Sequence, residues 1–182
     1  KETLLAPYSN LLELFLSNHT RERIANMSLQ MKVPNPKLIH LWQDWGNIHG
    51  GVAALMAGIP EVILSARTLP PKMKGAIQSY QGNSYQTVYE KLLRKENVRL
   101  IHNSKSGAQL YSKWLNINQN EIEVIYNGTD FDYLSNLSEN FDSNQWREEL
   151  SIPSNAFVVG TIHRFVPEKR PELWLESAIK CI

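Results

Sequence analysis

Arg164, Lys169 and Arg170 gather around a proline turn, directly after the apolar run "FVVGTI" and directly before a helical pattern beginning near Pro171. The amino end of a helix carries partial positive charge and ordinarily attracts carboxylates, so cations there call for an anion sharing the site. A guanidinium and an ammonium flanking free backbone N–H groups suit a pair of phosphates. The plainer alternative is solvated surface charge, partly neutralised by Glu168 and Glu172.

Three further stretches fall where the pattern ends a strand, which is where ligands bind in open α/β sheets. "QDWGNIHGG" offers Asp44, Trp45, Asn47 and His49, with Gly50 and Gly51 placed at an expected helix start. There they serve either close packing or close approach to a ligand. "ARTLPPKMKG" offers Arg67. "YNGTD" offers Gly128, in an Asn-Gly pair suited to positive φ and to a tight turn. His40 reads as a satisfied core histidine, and His102 stands at a strand end. No metal-ligand spacing, P-loop, G-x-G-x-x-G or G-x-S-x-G pattern occurs.

The elements that must position these residues follow from periodicity. Leu4, Leu5, Tyr8, Leu11, Leu12 and Phe15 recur at helical spacing, and a second helix carries Ile24, Met27 and Met31 until "VPNPK" ends it. Four apolar runs, "KLIHLW", "EVILSA", "VRLIHN" and "IEVIYN", then alternate with helical segments, one of them opened by Ser104. That alternation predicts an α/β, Rossmann-like parallel sheet covered by helices on both faces, with right-handed crossovers. Residues 1–130 form the expected first domain. Residues 131–155 read as a polar linker, with Asp142 and Gln145 capping a short helix. Residues 156–182 read as the first strand and helix of a second Rossmann-like domain.

Composition narrows the function classes. Lys plus Arg number 19 against 18 for Asp plus Glu, and no basic tract occurs, which argues against nucleic acid. Cys181 is the single cysteine, which excludes an intrachain disulfide and a cysteine metal cluster. No run of about 18 apolar residues suggests a membrane span. The start "KETLLAPY" lacks an initiator Met and a signal-peptide core, and "LWLESAIKCI" stops inside a helical pattern, so a fragment of a longer protein is expected.

Taken in order, "EIEVIYNGTDFDYL" and "WREELSIPSNAFVVGTIHRFVPEKRPELWLESA" resemble the central region of retaining glycosyltransferases of family four, which have the GT-B fold. The pattern "v-I-x-N-G-v-D", "r-x-x-l-g-i-p" and "v-G-x-v-g-R-l-x-x-x-K-g-x-x-l-l-l-x-A" is met by Ile125, Asn127, Gly128 and Asp130, by Leu150 to Pro153, and by Gly160, Arg164, Lys169, Leu173 and Ala178. Upstream, "IHLWQDWGNIHGGVAALMAGIPEVILSART" is similar to the family's strand–helix–strand.

The resemblance implies an enzyme moving a sugar from a UDP- or GDP-sugar to a saccharide or lipid-linked acceptor in an interdomain cleft, in cell-surface polysaccharide or glycolipid assembly. It implies that Arg164 and Lys169 hold the donor diphosphate with Gly128 beside it and stabilise the leaving group, with no cofactor or metal. It also implies that Asp44, His49, Gly50, Gly51 and Arg67 lie on the acceptor side. Arg67 stands where the family has a histidine, which opens the way to an anionic acceptor. The family's paired glutamates and glycine-rich first loop are expected outside residues 1–182, so this chain alone is expected to be inactive. A cytoplasmic location, with peripheral membrane contact left open, accompanies this reading. The competing expectation is a non-catalytic, flavodoxin-like regulatory module, which calls for an acidic pocket at the strand ends.

Overall fold

The structure, a computed structural model, describes residues 9–15, 17–71, 76–139 and 141–181. It divides into two compact units, Lys1–Gly128 and Thr129–Ile182. In the first unit, α1 (Ser9–Leu12) and α2 (Asn18–Lys32) precede the alternation β1 (Leu38–Trp42), α3 (Gln43–Ala57), β2 (Glu61–Ala66), α4 (Ala76–Leu93), β3 (Val98–His102), α5 (Lys105–Leu115) and β4 (Ile122–Val124). Leu4, Leu5 and Tyr8 of the expected first helix lie outside the described residues; Leu11 and Phe15 are buried. Pro34 follows Val33 at the end of α2, as a helix-stopping residue should.

The four strands form one parallel sheet in the order β1-β2-β3-β4, with Leu41 beside Leu64, Leu64 beside Leu100 and Leu100 beside Ile122. In-order parallel strands joined by right-handed crossovers place the connecting helices on the same side. Accordingly α3 packs on α4, and α4 on α5. Ile48, Val52, Leu64, Val88, Leu92, Leu100 and Leu115 are fully or almost fully buried between this helical layer and the sheet. A Cβ at Gly50 would stand 2.7 Å from Leu41 Cδ2, and one at Gly51 would stand 2.8 Å from Leu92 Cδ1, so both glycines let α3 lie close to its neighbours.

The sheet is flanked by helices, but along β1 it is two-sided in character. Ile39 and Leu41 pack on the core, whereas Leu38, His40 and Trp42 alternate outward and are exposed. His40 is therefore a surface residue stacked near Trp42, with ring centroids 4.5 Å apart, and not a satisfied core histidine. On the same face, Arg99 pairs with Glu61 at 3.3 Å, an exposed ion pair of small energetic weight.

The second unit carries α6 (Phe131–Glu139), α7 (Ser143–Glu149) and α8 (Pro171–Cys181). Residues 131–139 are thus helical where their polar, turn-rich composition predicts a linker; Asp130 supplies the start by accepting a hydrogen bond from Tyr133 N at 2.9 Å. Asp142 caps α7 as expected, accepting from Asn144 N and Gln145 N, while Gln145 turns to Glu149 and does not complete a capping box. The expected strand over 156–162 forms no ladder. A strand exists by pairing, and among the described residues of this unit no other strand is present to receive it. Phe157 and Ile162 are accordingly almost fully exposed.

Candidate functional site

The carboxyl edge of the sheet is built differently from the polar loops that composition suggests. Between β1 and α3 there is no loop. Gln43 takes a left-handed backbone (φ 64°) and turns strand into helix within one residue, so "QDWGNIHGG" is helical and Gly50 and Gly51 sit well inside α3. The helix starts seven residues earlier than Gly50. Of the two roles open to the glycines at a helix start, the structure displays the packing contacts described above.

The early start also turns Asp44 inward. Its Oδ1 accepts from Tyr111 Oη at 2.6 Å and from Tyr89 Oη at 3.1 Å, and all three residues are buried. Asn47, one turn on, donates to Tyr89 Oη at 2.8 Å and to the Ser65 carbonyl at 3.1 Å, and accepts from Ser65 N at 3.2 Å. Burial first, and the Asp44 charge second, push both phenols above their ordinary range, so each stays protonated and keeps donating. The buried Asp44 carboxylate thus ties α3 to α4 and α5, and Asn47 carries the network on to β2.

His102 closes β3 beside this network. Its Nδ1 accepts from Ser104 N at 3.1 Å, which leaves the proton on Nε2, directed to the Thr68 carbonyl at 3.4 Å. Ser104 caps α5 by accepting from Gly107 N at 3.1 Å. The His102 ring lies against that first turn so closely that a Cβ on Gly107 would stand 1.9 Å from Cε1. Gly107 was not singled out from sequence; its signal is a glycine three residues after a serine cap, with a histidine ending the preceding strand.

Above this buried layer lies an exposed cluster. Arg67, one residue past β2, sits over the Trp42 ring with its guanidinium carbon 4.7 Å from the centroid, and its Nη2 donates to Asn127 Oδ1. The last residue of β1 and residues following β2 and β4 thus meet at one edge. Gly128 is exposed, with a φ outside the left-handed region, so the Asn-Gly pair makes no positive-φ turn. Asn127 is used through its side chain.

His49 occupies a separate aromatic nest between α2 and α3. Its Nδ1 donates to the Trp45 carbonyl at 2.7 Å, its ring stacks on Trp45 at 4.5 Å, and Phe15 lies 5.1 Å away. Arg23 covers Trp45 at 5.2 Å. Burial is the main cause that holds His49 and His102 below the ordinary histidine value of 6.5. The folded state therefore binds fewer protons than the unfolded chain. Stability from these groups is present above about pH 6.5 and is lost as pH falls through their folded values. The melting temperature should decline from about pH 7 to about pH 5, more steeply than in His49→Gln; equal slopes in thermal scans would contradict this.

In the second unit, Val166 N donates to the Arg164 carbonyl, a 3-10 turn spans Pro167–Lys169, and Arg170 takes a left-handed backbone (φ 48°) just before α8. Arg164, Lys169 and Arg170 are exposed, and no carboxylate pairs with them among the described residues. The depression before the first turn of α8 is lined by Phe165, Val166, Pro167, Arg170, Pro171 and Glu172. Both ring nitrogens of His163 are buried without a hydrogen-bond partner, beside Phe165 at 5.5 Å.

Among the described residues no group of histidine, cysteine and carboxylate side chains is placed to hold a metal, and no helix is long and apolar enough to cross a membrane. No family model matches the chain. Over 143 residues, 78% of its length, it is 26% identical to the Vi polysaccharide biosynthesis protein VipC/TviE of Salmonella typhi. The matched region is 24% of the length of that relative.

Proposed function

We propose that this chain is part of a glycosyltransferase that moves a sugar from a nucleotide-diphosphate donor to a saccharide or lipid-linked acceptor during polysaccharide assembly. The likeness to a polysaccharide biosynthesis protein supports the process. The observation that carries the chemistry is the group of exposed cations ahead of α8, Arg164 and Lys169, with no acid neutralising them among the described residues. Transfer of a sugar leaves negative charge on the departing diphosphate, and cations fixed beside it lower that barrier. The retaining outcome and membership of family four belong to the same reading, as does work at the cytoplasmic face, where nucleotide sugars are supplied. Donor binding rests on Arg164 and Lys169; the earlier assignment of Gly128 to the donor has only its position after Asn127 in support.

A flavodoxin-like module fares worse. It needs an accessible carboxylate at the strand ends, and Asp44 lies buried under two tyrosines. The test is donor binding by the full-length protein with UDP- and GDP-sugars. Arg164→Ala should weaken it about tenfold, one charge-assisted contact, without altering the circular dichroism spectrum. Unchanged affinity by calorimetry removes Arg164 from the donor site.

A further inference from the structure

We infer that Arg67 binds an anionic group, a carboxylate or phosphate, carried by the acceptor; this rests on the glycosyltransferase reading above. Three observations lead there. First, Arg67 is exposed and its immediate partners, the Trp42 ring and the Asn127 carbonyl oxygen, are uncharged. No carboxylate pairs with it among the described residues, so its charge is held in place without being neutralised. Second, the guanidinium is fixed twice, by an aromatic face and by an amide, although it comes from a segment just beyond a strand. Only one donor is engaged by Asn127, and the planar fork retains others for a bidentate oxyanion. Third, Asp44, two residues after Trp42, is turned into the interior by Tyr89 and Tyr111. Its carboxylate is engaged there and does not compete for Arg67. Fixing an arginine this way lowers the ordering penalty for each bond it makes to a ligand.

Asn127 and Trp42 are positioning residues in this scheme, and Asn127 gives a sharper test than removal of the arginine. Asn127→Asp keeps the side-chain shape and places a resident carboxylate on Arg67, occupying it from within. Both residues varied, Arg67 and Asn127, are exposed, so the fold should survive. The probes are an acidic oligosaccharide, its carboxyl-reduced counterpart and a sugar phosphate, titrated into the 182-residue chain by calorimetry. The acidic saccharide or the sugar phosphate should bind, and the reduced saccharide should bind about tenfold more weakly or not at all. Arg67→Gln and Asn127→Asp should each abolish the preference, whereas Arg67→Lys should retain part of it.

Preference for the carboxylate or for the phosphate identifies the group, and either supports the assignment. Equal binding of acidic and reduced saccharides, or a preference untouched by Arg67→Gln, overturns it. Transfer assays on the full-length protein separate the two readings. Sugar transfer that is as fast to a neutral acceptor as to an acidic one sinks the Arg67 assignment and leaves the glycosyltransferase standing. Anion binding at Arg67 without any sugar transfer does the reverse.

Discussion

Asp44→Ala is expected to lower the unfolding free energy by about 2–5 kcal/mol, because it strands two buried phenolic donors at once. Tyr89 and Tyr111 are fully buried, and their hydroxyls converge on a single carboxylate oxygen. Neither residue is exposed to solvent that would replace the lost acceptor. Asp44 also lies in the first turn of α3, where a negative charge favours the helix dipole, and this adds a smaller term. Asp44→Asn separates the two contributions. Its amide oxygen can still accept from both tyrosines, so the loss should shrink to about 1 kcal/mol, the charge-dependent part. Urea unfolding of the three proteins measures this. An alanine variant as stable as the asparagine one would show that the tyrosine hydroxyls find other acceptors, and would return Asp44 to the list of candidate acceptor-side residues.

Gly107→Ala should destabilise the first unit by about 3 kcal/mol, at the upper end of what overpacking of a well-filled site produces. The new methyl would meet the His102 ring at 1.9 Å from Cε1 and 2.3 Å from Nε2. An imidazole pinned by Ser104 and Thr68 is not a flexible chain end that can swing aside. Relief requires α5 to lift from β3, and that loosens Ala108 and Tyr111 as well. Gly46→Ala provides the control. It too is a helical glycine near the start of its helix, but nothing lies within 4 Å of the added carbon. There the better helix propensity of alanine should stabilise by about 0.5–1 kcal/mol. Opposite signs in thermal melts are expected; the same sign for both would refute the steric account.

These two residues also show how far the sequence could be read. The strands and their alternation with helices were legible because each apolar run is short, bounded by turn residues and separated from the next by a helical pattern. Ser104 was legible as a cap because capping is local chemistry, complete within three residues. The start of α3 was not legible. It depends on Gln43 adopting a left-handed backbone, a conformation glutamine does not advertise. Misplacing that start put Asp44 ahead of the helix and Gly50 and Gly51 at its first turn, with packing and ligand approach both open, whereas their partners are Tyr111, Leu41 and Leu92. Tyr111 stands 67 residues from Asp44, and no window of sequence contains both ends of such a bond. The Arg67–Asn127 pair, 60 residues apart, was hidden for the same reason, although each residue attracted attention separately. The cations before α8 were visible because residues 164 to 170 are contiguous. What sequence missed there is that Arg170, rather than Arg164 or Lys169, lines the depression at the helix start.

The in-order arrangement β1-β2-β3-β4 bears on how this unit is made. Each strand needs only the one before it, so the sheet can be assembled progressively as the polypeptide emerges during synthesis, without waiting for a distant segment. Keeping partner strands close along the chain keeps loop-closure entropy small at every addition. The Tyr111 bond to Asp44, which reaches back from α5 to α3, then locks the finished stack.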